Sequence, residues 1–349
     1  MRILVLGASG YVGSRLVPAL LDAGHDVVAA SSSTPDPDRF SWGAQVDWVR
    51  CDVTDRAAVD AAVADVDAVC YLVHSLSVRG FSERDRIGAE NVRAAVDAAD
   101  VRRLVYLSGL VPDVPRDRLS AHIASRLEVE EELLRADTST VALRAGVVIG
   151  AGSTSYEVIR QLATLLLIQP VPLWLARTRV QPIAVTDAVR ALVEAFDDGT
   201  TLEGAVDIGG PDVLRYPALL GAYDRAARML RVRIPVLVAP EPIVALATAG
   251  LVQAPFHTVA ALVASLRDDM VCRPDATWVP ADGEPLLGVR EAMLRALDPW
   301  GTDLERPLPS DPAWTRTYAP LAEALRAPRT VRAGVSLTRH RVRSLLRMA

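Results

Sequence analysis

The first 150 residues alternate between two patterns. Short runs are mostly apolar, at residues 2–6, 26–30, 46–50, 68–73, 103–107 and 140–144. Between most of them lie longer stretches, 11–23, 55–64, 83–99 and 119–136, in which apolar residues return every three or four places. The short runs read as strands and the long stretches as helices. A strand that is apolar at successive residues is buried on both faces. Such strands interleaved with helices predict a parallel sheet covered on either side, the doubly wound α/β arrangement.

Beyond residue 150 the rhythm loosens. Residues 156–176 are strongly apolar and are interrupted by Pro170 and Pro172. Residues 182–196 predict a short strand and a helix, 205–208 a strand stopped by Gly209-Gly210-Pro211, and 216–230 a helix. Residues 235–266 mix a strand with two apolar helices parted by Pro255. Residues 274–320 are dotted with proline and are expected to wrap the smaller domain. The expected division is a doubly wound domain at 1–150, rejoined by 178–210, and a smaller, discontinuous α+β substrate-side domain from 151–177 and 211–325. The last stretch, 326–349, carries seven arginines and no acid. It reads as a solvated arm, or as a contact for an anionic membrane or a protein's acidic face.

The loop after the first strand is Gly7-Ala8-Ser9-Gly10-Tyr11-Val12-Gly13. It joins a strand to a helix, and that context gives the glycine spacing a physical meaning. Gly7 permits a sharp turn, Gly10 lets backbone approach a pyrophosphate, and Gly13 lets the helix pack closely on the sheet. Amides of the loop and the positive end of the helix would hold the phosphates without a cationic side chain. The expected fold is therefore a Rossmann domain and the expected ligand a dinucleotide.

Composition narrows the chemistry. All 38 basic residues are arginine. With no lysine, a Schiff-base lysine, a phosphate-loop lysine and any tyrosine–lysine pair are excluded; arginine supplies a fixed charge but cannot shuttle a proton near neutral pH. A net charge of −5 and aromatics at 5% argue against a nucleic-acid surface. Cys51, Cys70 and Cys272 have neither metal-ligand nor redox-pair spacing, and read as reduced thiols of a cytoplasmic protein. No metal site is expected. Met1-Arg2 leads directly into the first strand, so no signal peptide is expected. The longest apolar stretch, 242–263, contains Pro255 and His257, and reads as two helices of a folded domain rather than one membrane span.

The glycine spacing and the strands after it resemble the short-chain dehydrogenase/reductase superfamily over about residues 1–240. The nearer likeness is to its extended and atypical branch, which includes NmrA-like NAD(P)H-binding proteins. Cys51-Asp52-Val53 resembles the acidic adenine-contact position, with Asp52 facing the ring amine. Leu72-Val73-His74 resembles the stretch beneath the cofactor ribose, and Leu107-Ser108-Gly109 stands where such enzymes keep an active-site serine. Ala145-Gly146-Val147 lies in a segment similar to the one that lines the nicotinamide. Residues 181–187 and 207–211 match two late landmarks of the branch. The resemblance implies an NAD(P)H-binding oxidoreductase that reduces a carbonyl or an activated double bond of an apolar small molecule. It also allows a non-catalytic NAD(P) redox sensor of the NmrA-like kind.

The superfamily's Tyr-x-x-x-Lys pair is missing. The matching helix reads Ser120-Ala121-His122-Ile123-Ala124-Ser125-Arg126, and the resemblance puts His122 and Arg126 at the two places. Four residues apart, they share a helix face. His122 can exchange a proton near neutral pH, although an adjacent arginine favours neutral imidazole. Arg126 can hold the cofactor ribose, and Ser108 can polarise a carbonyl. His74 and Tyr156 are the other candidates for the proton, Tyr156 in a loop expected over the nicotinamide. The second strand runs into Ser31-Ser32-Ser33 without the acid that would grip a ribose 2′-hydroxyl. Ser31 and Ser32, with Arg39 or Arg50, therefore point to NADP, with NAD as the alternative. The apolar blocks at 162–176 and 235–266 are either core or a cleft for a lipid-, isoprenoid- or quinone-like molecule. Substrate identity and oligomeric state stay open.

Overall fold

The computed structural model describes residues 1–74, 81–298 and 300–316. The arginine-rich stretch 326–349 lies outside the described residues. The sheet half contains β1 (Arg2–Leu6), α1 (Gly13–Asp22), β2 (Asp26–Ser31), β3 (Asp47–Arg50), α2 (Arg56–Val63), β4 (Ala68–Tyr71), α3 (Phe81–Ala98), β5 (Arg103–Gly109), α4 (Ala121–Leu133) and β6 (Ser139–Ala145). Then come β7 (Val148–Ile149), α5 (Thr154–Leu165), β8 (Ile168–Pro172), α6 (Leu173–Arg177), β9 (Arg179–Val180), β10 (Ile183–Ala184), α7 (Val185–Glu194) and β11 (Gly204–Ile208). The chain continues through β12 (Leu214–Arg215), α8 (Tyr216–Ala226), β13 (Val232–Val236), α9 (Glu241–Leu251), α10 (Phe256–Ser265), α11 (Val289–Ala296) and α12 (Ala313–Arg316).

Seven strands form one parallel sheet in the order β11-β6-β5-β4-β1-β2-β3. Its apolar runs are explained by β1. Ile3 and Val5 enter one core with residues of α1 and α7, while Leu4 and Leu6 enter the other with residues of α2, α3 and α4. Helices therefore cover both faces, as the doubly wound pattern requires. The strand order reverses between β1 and β4, and ligands of such sheets bind at the carboxyl ends beside that reversal.

Local chemistry sets the element ends. Asp55 caps α2 by accepting from the amides of Ala57 and Ala58. Ser120 accepts from the amide of Ile123, which starts α4 at Ala121 and places His122 in its first turn. Pro18 sits inside α1 and cannot donate to the carbonyl of Ser14. The indole N–H of Trp42 donates to that carbonyl instead, at 3.0 Å.

Residues 151–316 build two further cores. One joins residues of α5, α8 and α11; the other joins Val158 and Leu162 of α5 with residues of α9 and α10. Pro170 and Pro172 are tolerated because β8 pairs only with β13 in a two-stranded ladder. The described part of the proline-dotted stretch packs on both halves. Trp278 is buried among residues of α1 and α7, and its amide donates to Asp207 of the outermost strand β11. That contact covers a sheet edge. Arg15 of α1 is fully buried, pairs with Asp311 at 2.9 Å and donates to the carbonyls of Ala151, Leu304 and Arg306. Among the described residues no helix is long and apolar enough to cross a membrane.

Candidate active site

The glycine loop ends in a tight turn. Gly7 has φ +91°, which favours glycine, and its carbonyl accepts from the amide of Gly10 at 3.0 Å. A Cβ on Gly13 would lie 2.3 Å from the carbonyl oxygen of Gly7 and 2.8 Å from the Cα of Ala8. Only glycine lets α1 start this close to β1. The helix has no side-chain cap, and no described residue accepts from the amides of Tyr11 and Val12. Unpaired donors at a helix start are a fitting cradle for a diphosphate. The expected helix at 11–23 begins later for that reason: residues 10–12 form the turn.

At the end of β2, Ser31 is buried and its hydroxyl lies 3.2 Å from that of Ser33. Its register partner is Arg50, the last residue of β3, which is exposed. Arg39 is committed elsewhere, donating to the carbonyl of Ser310 at 2.6 Å. Asp52 accepts from the amide and hydroxyl of Thr54 and faces Arg84, contacts that hold its carboxyl below the usual range. Val53 is buried in the core beside α3, and its carbonyl accepts from Asn91.

His74 follows β4 and forms the centre of a hydrogen-bonded chain. Its Nδ1 lies 3.0 Å from Oδ2 of Asp85, and its Nε2 lies 3.0 Å from Nδ1 of His122. Asp85 is buried on α3, and His122 is buried on α4. Burial, then Arg126 and His74, hold His122 well below the ordinary imidazole range. Burial also lowers His74, against the opposing pull of Asp85. Both rings are therefore neutral at pH 7 in the resting protein. Nε2 of His122 bonds no described residue.

Arg126 lies one helical turn from His122. It donates to the carbonyl of Leu107 at 2.6 Å, and its Nε has no partner among the described residues. Ser108 is almost fully buried, and its hydroxyl likewise has no described partner. Its neighbours Gly109 and Leu110 line the site's cavity, and Ser108 is not among the described lining residues. Tyr156 differs most from expectation. Ser153 caps α5, so Tyr156 sits in the first helical turn rather than in a loop. Its ring packs edge-on to Tyr223, and burial raises its hydroxyl well above the ordinary range. It is withdrawn from the cavity into the core with α8.

The cavity itself has a volume of about 500 Å³. One wall holds Tyr11 and Val12 of the glycine loop, His122 and Arg126 of α4, and the stretch Ala145, Gly146 and Val147. The other is apolar, with Leu162, Trp174, Val244, Leu251, Val259 and Leu262 among its residues. The structure thus brings together the loop, His122, Arg126 and the stretch after β6, with His74 behind His122. Sequence reasoning missed Asp85. Its signal was an acid on the apolar stripe of α3, in line with Ala89, Val92 and Val96.

A family model described as the NAD dependent epimerase/dehydratase family matches residues 3–209. An uncharacterized protein of Mycobacterium tuberculosis is 30% identical over 238 residues, 68% of this chain and 25% of that protein. The 2-alkyl-3-oxoalkanoate reductase of Stenotrophomonas maltophilia is 34% identical over 175 residues, 44% of this chain and 52% of that enzyme. The ceramide reductase of Caulobacter vibrioides is 28% identical over 195 residues, 55% of this chain and 59% of that enzyme. The chain thus spans between a quarter and three fifths of the length of these relatives. The Bordetella bronchiseptica enzyme WbmG, solved in complex with NAD, has the same fold, with a TM-score of 0.63 at 17% identity over 88% of this chain and 97% of that one. The family match begins in β1 and ends just past β11, the last strand of the sheet. The chain therefore belongs to the NAD dependent epimerase/dehydratase family, within the extended short-chain dehydrogenase/reductase superfamily.

Proposed function

We propose that the chain is an NAD(P)H-dependent reductase that adds hydride and a proton to a carbonyl, or to an activated double bond, of an apolar molecule held in the cavity. The observation that carries this reading is the chain Asp85–His74–His122, which ends at the cavity wall beside Arg126. The unpaired amides of Tyr11 and Val12 and the close approach at Gly13 fit a bound dinucleotide. Reduced nicotinamide, when bound, supplies the hydride.

The residues of the chain supply the proton. In its loaded form His74 is an imidazolium, donating through Nδ1 to Asp85 and through Nε2 to Nδ1 of His122. Nε2 of His122 then carries a hydrogen toward the substrate oxygen. As the carbonyl carbon gains hydride, its C=O π bond breaks and the oxygen takes the proton from Nε2. Nδ1 of His122 takes the proton of His74, which returns to neutral with its Nδ1–H on Asp85. Burial makes the loaded form a strong acid and so a ready donor. Arg126 supplies fixed positive charge for the cofactor ribose and the developing alkoxide.

Arg50 beside Ser31, with no acid at the end of β2, supports NADP as the cofactor. The apolar far wall supports an apolar substrate. So do two relatives named as reductases, one of a 2-alkyl-3-oxoalkanoate and one of ceramide. Free, buried Cys51, Cys70 and Cys272 fit a reducing cytoplasm.

The test is NADPH oxidation over a panel of ketones and 3-oxo esters with increasing alkyl length. Turnover should rise with chain length. It should fall about 10²- to 10⁴-fold in His122→Phe while NADPH affinity is retained. Asp85→Asn should lose less and should shift the acid limb of the pH profile. NADPH binding without oxidation across the panel would establish the redox-sensor reading that the missing Tyr-Lys pair allows. Full activity in His122→Phe would remove the proton assignment.

A further inference from the structure

The apolar wall of the cavity continues onto the protein surface. Leu237 and Val238 are 81% and 82% exposed in the loop before α9, between the lining residues Val236 and Ala239, and Leu246 of α9 and Phe256 of α10 are exposed on the two helices that line the cavity. Ile243 belongs to both surfaces: it lines the cavity and is 61% exposed. The cavity therefore opens at this patch. Single exposed apolar residues are ordinary, but a run of large ones at a cavity mouth marks a contact surface.

The charge pattern says what the surface meets. Between residues 234 and 266 the ionisable side chains are Glu241 and His257 alone. Glu241 is paired with Arg267, which two acids follow, Asp268 and Asp269, the latter paired with Arg179. Residues 224–233, which include exposed Leu230 and Val232, hold four arginines against the single acid Asp224, itself paired with Arg233. Over residues 224–269 Asp224, Glu241 and Asp269 are each held in an ion pair with an arginine, which leaves Arg225, Arg228 and Arg231 against Asp268; exposed apolar side chains with this cationic surplus match the two layers of an anionic bilayer surface, acyl chains below and phosphates above. A water-filled route would strand an apolar molecule at the mouth; an acyl layer there lets it enter without crossing water.

We infer that the α9–α10 hairpin and the 237–238 loop dock on an anionic lipid bilayer, and that the cavity takes its substrate from that bilayer. The docking stands on the surface itself; the uptake rests on the apolar-substrate reading above. The contact is peripheral, since neither α9 nor α10 reaches the length of a membrane span.

The experiment is sedimentation of the full chain, saturated with NADPH, with vesicles of phosphatidylcholine and of phosphatidylcholine mixed with phosphatidylglycerol. The comparison is with a Leu237→Asp/Val238→Asp variant. Both residues lie in an exposed loop between β13 and α9, so the fold is retained, and NADPH titration of the variant checks this. The chain should bind the anionic vesicles more tightly, less so at high salt, and the variant should lose about tenfold or more in affinity. Absence of vesicle binding would overturn the inference. So would equal binding by the variant, which would assign membrane contact to another segment such as the arginine-rich stretch 326–349. Light scattering that shows a dimer split by the variant would give the face to a second copy. Vesicle binding without ketone turnover would sink the reductase reading alone.

Discussion

On the sheet side of the cavity each group is held by polar contacts that burial makes stringent. His122 is fixed through His74 to Asp85, Arg126 is tied to the carbonyl of Leu107, and the glycine loop is tied to itself. On the far side, α9 and α10 hold the wall by apolar packing and leave large side chains in contact with solvent. The difference suits what the proposed reaction would ask of each wall. Proton transfer requires atoms placed to within a fraction of an ångström, and buried hydrogen bonds provide that. Holding an apolar molecule requires area and shape, and packing provides both with few directional demands.

If this contrast is sound, damage to the polar wall should cost most. Gly13→Val drives a side chain into the carbonyl of Gly7 and the backbone of Ala8. It should lower stability by about 3 kcal/mol and weaken NADPH binding more than tenfold. Thermal melts and fluorescence titration measure the two effects. A variant with unchanged melting and affinity would mean that α1 can slide, and that the loop is not the fixed point of the site.

Acidification probes the same wall through protonation. His74 and His122 are both held below the ordinary imidazole range, chiefly by burial. Unfolded, they titrate near about 6.5. As pH falls below that value the unfolded chain binds protons that the folded chain refuses. Their contribution is therefore complete above about 6.5 and is lost as the pH drops toward their lower folded values. Melting temperatures taken from neutral to mildly acidic pH should decline, and His122→Phe should flatten the decline. An equal slope in that variant would place the acid sensitivity elsewhere.

The smallest effect belongs to the rim. Arg50→Gln should weaken NADPH about three- to tenfold and leave NADH unchanged, because one exposed charge-assisted contact to a 2′-phosphate is at stake. Equal losses for both cofactors would mean that Arg50 supports the strand rather than the phosphate.

Much of the sheet side was legible in the residues. Apolar runs at 2–6 and 26–30 alternate into two cores, which is why they lack a polar face. The glycines at 7, 10 and 13 announce a turn whose close contacts no side chain can share. His122 and Arg126 were visible as a helix pair, but Asp85 was not linked to them. It lies 37 residues before His122, and only packing of α3 against α4 brings the two helices together. Tyr156 misled because a polar run read as a loop, whereas Ser153 caps a helix there and turns the ring inward. Within the proline-dotted stretch, Trp278 reaches back to cover β11, a contact that the proline spacing does not announce.

Periodicity and the conformational freedom of glycine act over a few residues, so the chain order alone determined the strands, the helices and the dinucleotide loop. Proton relays, hydrogen-bond partners and the separation of lining from core depend on which distant surfaces meet in three dimensions. Those were decided by packing: it buried Ser108 and Tyr156, joined Asp85 to His122 through His74, and left the apolar faces of α9 and α10 open at a cavity mouth.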